Sequence, residues 1–273
     1  MKYLKEKIKT PLTNDATLTC YVLDNTPEMD EKRVRPAVVI CPGGAYKKVT
    51  ERDGEPIAIK LLGMGVQSFI LNYSVAPVHH PAQLAELASA VKLVREHAAE
   101  WHVNPNKILV MGTSAGGHLA GMLATMWNSD TLKDLGYDPV TIRPNGLIMG
   151  YSVVTADQKY GHQGSFDNLL GKGATREERE KLSLQTLVSA DTPIAFIWTT
   201  TKDTTVPMEN SLMLVEALRA HGINFEFHVF PHGQHGHSLA TKETAADESQ
   251  IVPALQIWPT LLAEWLHENF KTF

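Results

Sequence analysis

Short apolar runs recur along this chain, and stretches with helical spacing separate most of them. Ala37 to Cys41 (AVVIC) is cut off by Pro42-Gly43-Gly44. Val66 to Tyr73, Lys107 to Met111, Gly146 to Gly150, Pro193 to Thr199 and Asn224 to Phe230 follow. Runs of this length suit strands, and the continuous apolar ones suit strands buried on both faces. Thr17 to Leu23 (TLTCYVL) is an earlier β-rich stretch. Helical spacing marks Pro56 to Leu62, Pro81 to Trp101, Ala115 to Trp127, Pro207 to His221 and Ile251 to Phe270, the last interrupted near Pro259. The alternation predicts an α/β fold: a mostly parallel, doubly wound sheet of about eight strands with helices on both faces.

Tyr151 to Ala190 breaks the rhythm, being polar and rich in glycine and charge. It reads as a small cap inserted over the carboxyl edge of the sheet. All 273 residues are then expected to form one domain, a length that can bury one sizeable core.

Charge narrows the choice of partners. Twenty-five Lys and Arg face 30 Asp and Glu, a net charge of −5, which gives no basic patch for nucleic acid. No run approaches the ~18 apolar residues of a membrane helix. The first residues alternate charge with apolar groups and lack the core of a signal peptide. Cys20 and Cys41 are too few for a disulfide framework or a cysteine-rich zinc site. The expectation is a cytoplasmic protein without a membrane partner.

Between the Lys107 strand and the Ala115 helix lies Gly112-Thr113-Ser114-Ala115-Gly116-Gly117, a G-x-S-x-G turn in strand–turn–helix context. Such a turn holds its serine in a strained conformation and presents the hydroxyl at the sheet edge, beside a helix N-terminus that favours negative charge. Ser114 is the candidate nucleophile.

A serine hydroxyl needs a base with a pKa near working pH, which selects histidine. Functional groups of a doubly wound sheet lie beyond the carboxyl ends of its strands. That leaves His232, His235 and His237, which follow the Asn224 strand. His235 stands between Gly233 and Gly236 and is the first choice, with His237 and His232 as alternatives. Their spacing resembles no metal-binding pattern, and no metal or other cofactor is expected. Asp203 is the only acid between the Pro193 strand and the Pro207 helix, so it is the candidate to orient the base.

Acyl transfer also needs N–H donors where a carbonyl oxygen becomes negative. Ala115 should supply one, and the loop Cys41 to Tyr46 the other. That loop lacks the G-x-G-x-x-G and Gly-Lys-Ser/Thr patterns of phosphate cradles. Cys41 reads as a small core residue.

Taken together, Pro42-Gly43-Gly44-Ala45-Tyr46, Leu71-Asn72-Tyr73 with Ala76-Pro77, the Ser114 turn, Asp203 with Val206-Pro207, and Gly233-Gln234-His235-Gly236 resemble the α/β-hydrolase superfamily. Within it the chain is similar to the bacterial esterase/lipase branch of acetyl xylan esterases and small acetyl esterases, related to hormone-sensitive-lipase-like enzymes. It departs from the latter in carrying Pro42-Gly43-Gly44-Ala45 in place of His-Gly-Gly-Gly. The chain order Ser114, Asp203, His235 matches that superfamily.

The resemblance implies a triad of Ser114, Asp203 and His235, and an oxyanion hole from the N–H groups of Gly44, Ala45 and Ala115. It implies a serine carboxylesterase, and a cap limited to residues 151–190 with no long apolar lid favours short acyl esters, acetyl to butyryl, with acetylated sugars as candidate substrates. Tyr46 is expected beside the acyl carbon as a pocket residue, and the cap contributes few large apolar residues, with Phe166, Leu169, Leu170 and Leu182 as the main candidates for the pocket. The expected partner is a small-molecule ester; homo-oligomerisation stays open. Two alternatives stand beside this reading: a peptidase or amidase of the same superfamily, and a non-enzymatic binding protein on the same scaffold.

Overall fold

The computed structural model describes residues 1–272. Eight strands form one sheet in the order β1-β2-β4-β3-β5-β6-β7-β8. They are β1 (Lys2–Lys7), β2 (Thr17–Val22), β3 (Arg35–Cys41), β4 (Gln67–Asn72), β5 (Val103–Thr113), β6 (Gly146–Gly150), β7 (Ala195–Thr200) and β8 (Phe225–Phe230). From β4 onward all neighbours are parallel; β1 with β2 and β2 with β4 are antiparallel.

Strands β3, β6 and β7 are buried throughout because both of their faces are covered. Along β3, Ala37, Val39 and Cys41 enter one apolar cluster while Val38 and Ile40 enter the other. This two-residue alternation is the pleat itself. The first cluster takes Leu84, Leu87 and Val91 of the Ala82–Glu96 helix, Leu119 and Leu123 of the Ser114–Met126 helix, and Leu214 and Leu218 of the Glu209–Ala220 helix. The second takes Ile57 and Leu61 of the Glu55–Leu62 helix and Trp258, Leu262, Trp265 and Leu266 of the Trp258–Phe270 helix. Both cysteines are buried and unbridged.

Three differences from the sequence reading have physical causes. The N-terminal residues form β1, an edge strand of alternating exposure that pairs Lys2 to Lys7 with Val22 to Thr17. The second long helix stops at Glu96, and Ala98 to Trp101 turns back so that the Gln67 side chain donates to the Trp101 carbonyl. The last helix begins only at Trp258, with Pro259 in its first turn, where a missing N–H costs nothing.

Residues 151–190 form short helices at Gln163–Leu170, Arg176–Glu180 and Leu184–Leu187. Val153, Val154, Phe166, Leu169, Leu182, Leu184 and Val188 from this segment join the first cluster. Among the described residues no helix is long and apolar enough to cross a membrane.

Candidate active site

Strand β5 ends at Thr113 and a helix starts at Ser114 with no residue between them. Ser114 takes φ 53°, a left-handed conformation that strains a side-chain-bearing residue. The turn persists because it is packed from both sides. A Cβ on Gly116 would stand 2.0 Å from the Cys41 carbonyl oxygen, so only glycine lets the helix start lie against the end of β3.

Ser114 Oγ is 2.8 Å from His235 Nε2, and His235 Nδ1 is 2.7 Å from Asp203 Oδ2. The three residues follow β5, β8 and β7, strands of one parallel run (β5-β6-β7-β8) whose carboxyl ends all face the same edge of the sheet. The Asp203 side chain has no exposed surface. Its Oδ1 accepts the backbone N–H groups of Thr205 and Val206, each at 2.9 Å, which fixes its orientation. A carboxylate accepting at Nδ1 assigns the imidazole hydrogen to that nitrogen and leaves Nε2 free to accept from Ser114. The alternative histidines go elsewhere: His232 is exposed, and His237 is buried with Nδ1 3.1 Å from the Gln250 carbonyl oxygen.

The loop after β3 bends through three successive residues of positive φ: Gly44 at 131°, Ala45 at 55° and Tyr46 at 55°. A Cβ on Gly44 would meet the Lys48 carbonyl oxygen at 2.0 Å, so this position also requires glycine. The Gly44 carbonyl accepts from Lys47 and Lys48, and the Gly43 carbonyl accepts from Thr50. The N–H groups of Gly44 and Ala45 have no acceptor among the described residues. A Cβ on Gly43 would lie 3.2 Å from Ser114 Cβ, which puts the loop directly beside the serine. The Ala115 N–H lies in the first turn of its helix, where no intrahelical acceptor exists. Gly44, Ala45 and Ser114 border one space.

That space is an open cavity of about 280 Å3, lined by Ser114, His235, Gly44 and Ala45, by Tyr151, His162 and Thr205, and by Lys47, Lys48, Thr50, Arg52 and Asp53. Burial, reinforced by the nearby His235, lowers the pKa of His162, favouring a neutral wall. Among the described residues no group of histidine, cysteine and carboxylate side chains is arranged to hold a metal ion.

Tyr46 does not line this cavity, contrary to expectation. Its side chain is fully buried, its hydroxyl is 2.9 Å from His118 Nδ1, and its ring meets Tyr73 edge-on. The left-handed turn at Ala45 and Tyr46 carries the ring under the loop and into the core. Phe166, Leu169 and Leu182 are buried against the main core as well, and neither they nor Leu170 borders the cavity.

Tyr151 and Asp53 are among the site residues that escaped the sequence reading. Tyr151 follows β6 at φ 38°, and its ring packs edge-on against His235 at 5.2 Å between centroids. Burial holds its hydroxyl well above the ordinary tyrosine pKa, so it remains a neutral donor, and it donates to Asp53 Oδ1 at 2.8 Å. Asp53 is buried and also accepts from the Thr50 hydroxyl at 2.7 Å. The rule that selected Asp203, a polar residue just past a parallel strand, would equally have selected Tyr151.

Comparison with known proteins places this geometry among relatives. Residues 23–218 match the model of the BD-FAE family. The chain is 35% identical over 214 residues to endo-1,4-beta-xylanase B of Butyrivibrio fibrisolvens, covering 77% of this chain and 33% of that protein. It is 29% identical over 243 residues to an acetylxylan esterase of Xylanibacter ruminicola, covering 86% of this chain and 47% of that one. The chain thus spans a third to a half of the length of these curated relatives. In structure it resembles an acetyl ester-xyloside bifunctional hydrolase from Caldicellulosiruptor lactoaceticus, with TM-score 0.83 and 32% identity over 97% of this chain and 96% of the other.

Proposed function

The chain belongs to the BD-FAE family, and from that premise we propose that it is a serine carboxylesterase that removes short acyl groups, acetyl above all, from acylated sugars. The observation that carries this reading is the hydrogen-bonded series Ser114–His235–Asp203 opening on a small cavity.

In this mechanism His235 Nε2 takes the Ser114 proton as Oγ attacks the ester carbonyl. Asp203 holds the ring by its Nδ1–H and stabilises the imidazolium. Negative charge on the tetrahedral oxygen is met by the N–H groups of Ala115 and of Gly44 or Ala45, already oriented and free of other acceptors. The imidazolium returns its proton to the departing alcohol. Water, activated by the same His235, then hydrolyses the acyl-enzyme. No step calls for a metal or organic cofactor.

The substrate class is supported by cavity size and by the relatives. About 280 Å3 lies at the lower limit of small-molecule sites, ~300–1,000 Å3, and suits a short acyl group with the sugar next to it. The relatives named for acetylxylan and for an acetyl ester-xyloside point to the same class.

The test is to quench turnover of 4-nitrophenyl acetate in acid and find the acetyl group by peptide mass spectrometry, beside an assay of acetate released from acetylated xylo-oligosaccharides. Acetyl on the Ser114 peptide and acetate from the sugar are expected. Turnover that persists in a folded Ser114→Ala protein would exclude the mechanism.

A further inference from the structure

We propose that the open face of β1, β2 and β4 is a subsite for the neutral sugar chain that extends beyond the acylated residue. The proposal rests on the esterase reading, because it asks where the rest of that substrate lies.

A groove of about 740 Å3 runs over this face. The opposite face sends Leu18, Cys20, Phe69 and Leu71 into the core. The register puts Tyr3 opposite Tyr21, Lys5 opposite Thr19, and Thr17 opposite Asn72, so all six side chains point to the groove side. The groove shares Thr50 and Arg52 with the wall of the active-site cavity. A chain leaving the cavity over the loop that carries these two residues enters the groove directly.

The chemistry of the groove fits a polyhydroxylated chain. Tyr3 is 62% exposed yet held in place by edge-on contact with Tyr21 at 5.3 Å, and the Tyr21 hydroxyl is fixed on Glu55 Oε1 at 2.7 Å. An anchored, exposed aromatic ring offers an apolar face for the C–H side of a pyranose and a polar edge for its hydroxyls. Thr19 and Asn72 supply further hydrogen-bonding groups across the same face. Lys5 and Arg52 are met by Glu51, Glu55 and Glu243, so the groove has no positive excess that would favour an anionic chain over a neutral one. The active-site cavity holds too little to accommodate an oligomer. The groove supplies the missing length.

The experiment is calorimetric titration of the wild-type protein with unacetylated β-1,4-linked xylobiose and xylohexaose, repeated with Tyr3→Ala and Asn72→Ala, with sedimentation equilibrium on each protein. The wild type should bind the hexaose at least about tenfold more tightly than the biose. Tyr3→Ala should remove most of that gain with an unshifted melting temperature, because the ring is largely outside the core. Asn72→Ala should remove part of it. Equal affinity for the two sugars, or a gain that survives Tyr3→Ala, would overturn the subsite. A wild-type dimer that Tyr3→Ala dissociates would also overturn it, since the face would then be an interface between copies. The sugar probes carry no ester, so the two readings fail separately. A protein that binds the hexaose but hydrolyses no ester contradicts the esterase reading alone. One that hydrolyses 4-nitrophenyl acetate but ignores the hexaose contradicts the subsite alone.

Discussion

Tyr151 donates its hydroxyl to the buried carboxylate of Asp53 at 2.8 Å while its ring rests against His235. The same hydroxyl accepts the Ser238 backbone N–H at 3.2 Å, and the Ser238 hydroxyl donates to the Arg52 carbonyl at 2.6 Å. The loop that carries His235 is thereby tied to the loop that carries Asp53. Tyr151→Phe keeps the ring but leaves Asp53 Oδ1 and the Ser238 N–H without this partner. Each such loss typically costs ~1–3 kcal/mol. Urea unfolding should report a destabilisation of that order, and kcat for 4-nitrophenyl acetate should fall with it because the His235 loop loosens. A variant as stable and as active as the wild type would show that the tie is incidental.

Ser114→Ala should lower kcat/KM for 4-nitrophenyl acetate by about 10^4-fold or more, as loss of a triad nucleophile does. The fold should survive, because Ala relieves no packing and leaves the turn glycines in place. Combining it with His235→Ala should cost no more than either change alone, since the pair acts as a unit. Additive losses in the double variant would refute joint action.

Asp203→Asn tests the orienting role. The amide oxygen can still accept from Thr205 and Val206, but its NH2 group would face His235 Nδ1 and force the other tautomer. Nε2 would then carry the hydrogen and could not accept from Ser114. Activity at neutral pH should fall about 10^4-fold with a nearly unchanged melting temperature. An Asp203→Asn protein within tenfold of the wild type would remove Asp203 from the mechanism.

Acyl length should be limited by the cavity. Each buried methylene is worth about 0.8 kcal/mol where a groove can receive it. Here the walls include Tyr151, His162, the Gly44–Ala45 loop and the polar Lys47, Lys48 and Arg52, and the cap's Leu169 and Leu182 are spent in the core. Among 4-nitrophenyl esters, kcat/KM should peak between acetyl and butyryl and drop at least about tenfold by octanoyl, ~1.4 kcal/mol of transition-state binding. A rate rising steadily to decanoyl would mean that the cavity opens into an apolar channel.

Acid should destabilise the fold through His118. Burial pushes its pKa from 6.5 down to about 4. Its environment explains the neutral form, with Nδ1 accepting from the Tyr46 hydroxyl and Nε2–H donating to the Leu182 carbonyl. His80, half-buried, is lowered to about 4 by loss of hydration as well. Because the folded value lies below the unfolded one, unfolding takes up a proton between pH 6.5 and 4. Stability present above pH 6.5 is therefore lost as the pH falls through that window, at up to about 1.4 kcal/mol per pH unit for each proton. Urea midpoints measured from pH 7 to 4 should follow this slope, and His118→Gln should flatten it. An unchanged slope in that variant would assign the effect to other groups.

The amino-acid sequence by itself determined the strand–helix alternation, the Ser114 turn and the glycines around it, because these are local. A run of five buried apolar residues, a residue forced to positive φ and a helix start are each written within a few neighbours. It also narrowed the base to three histidines, since only those lie in the segment directly after β8. The tertiary structure alone decided which of them meets the serine. Ser114 and His235 are 121 residues apart, and their 2.8 Å contact depends on how β5 to β8 register and on how the loop after β8 folds back. The same cause separates the expected and observed places of Tyr46. Sequence put it beside the oxyanion loop, but the sign of φ at Ala45 and Tyr46 decides whether the ring faces the cavity or the core. Nor could sequence show the tie from Tyr151 to Asp53 across 98 positions, or the groove over β1, β2 and β4. Both arise where segments distant along the chain are brought together by the pairing of strands, and that pairing is set by burial of both sheet faces at once.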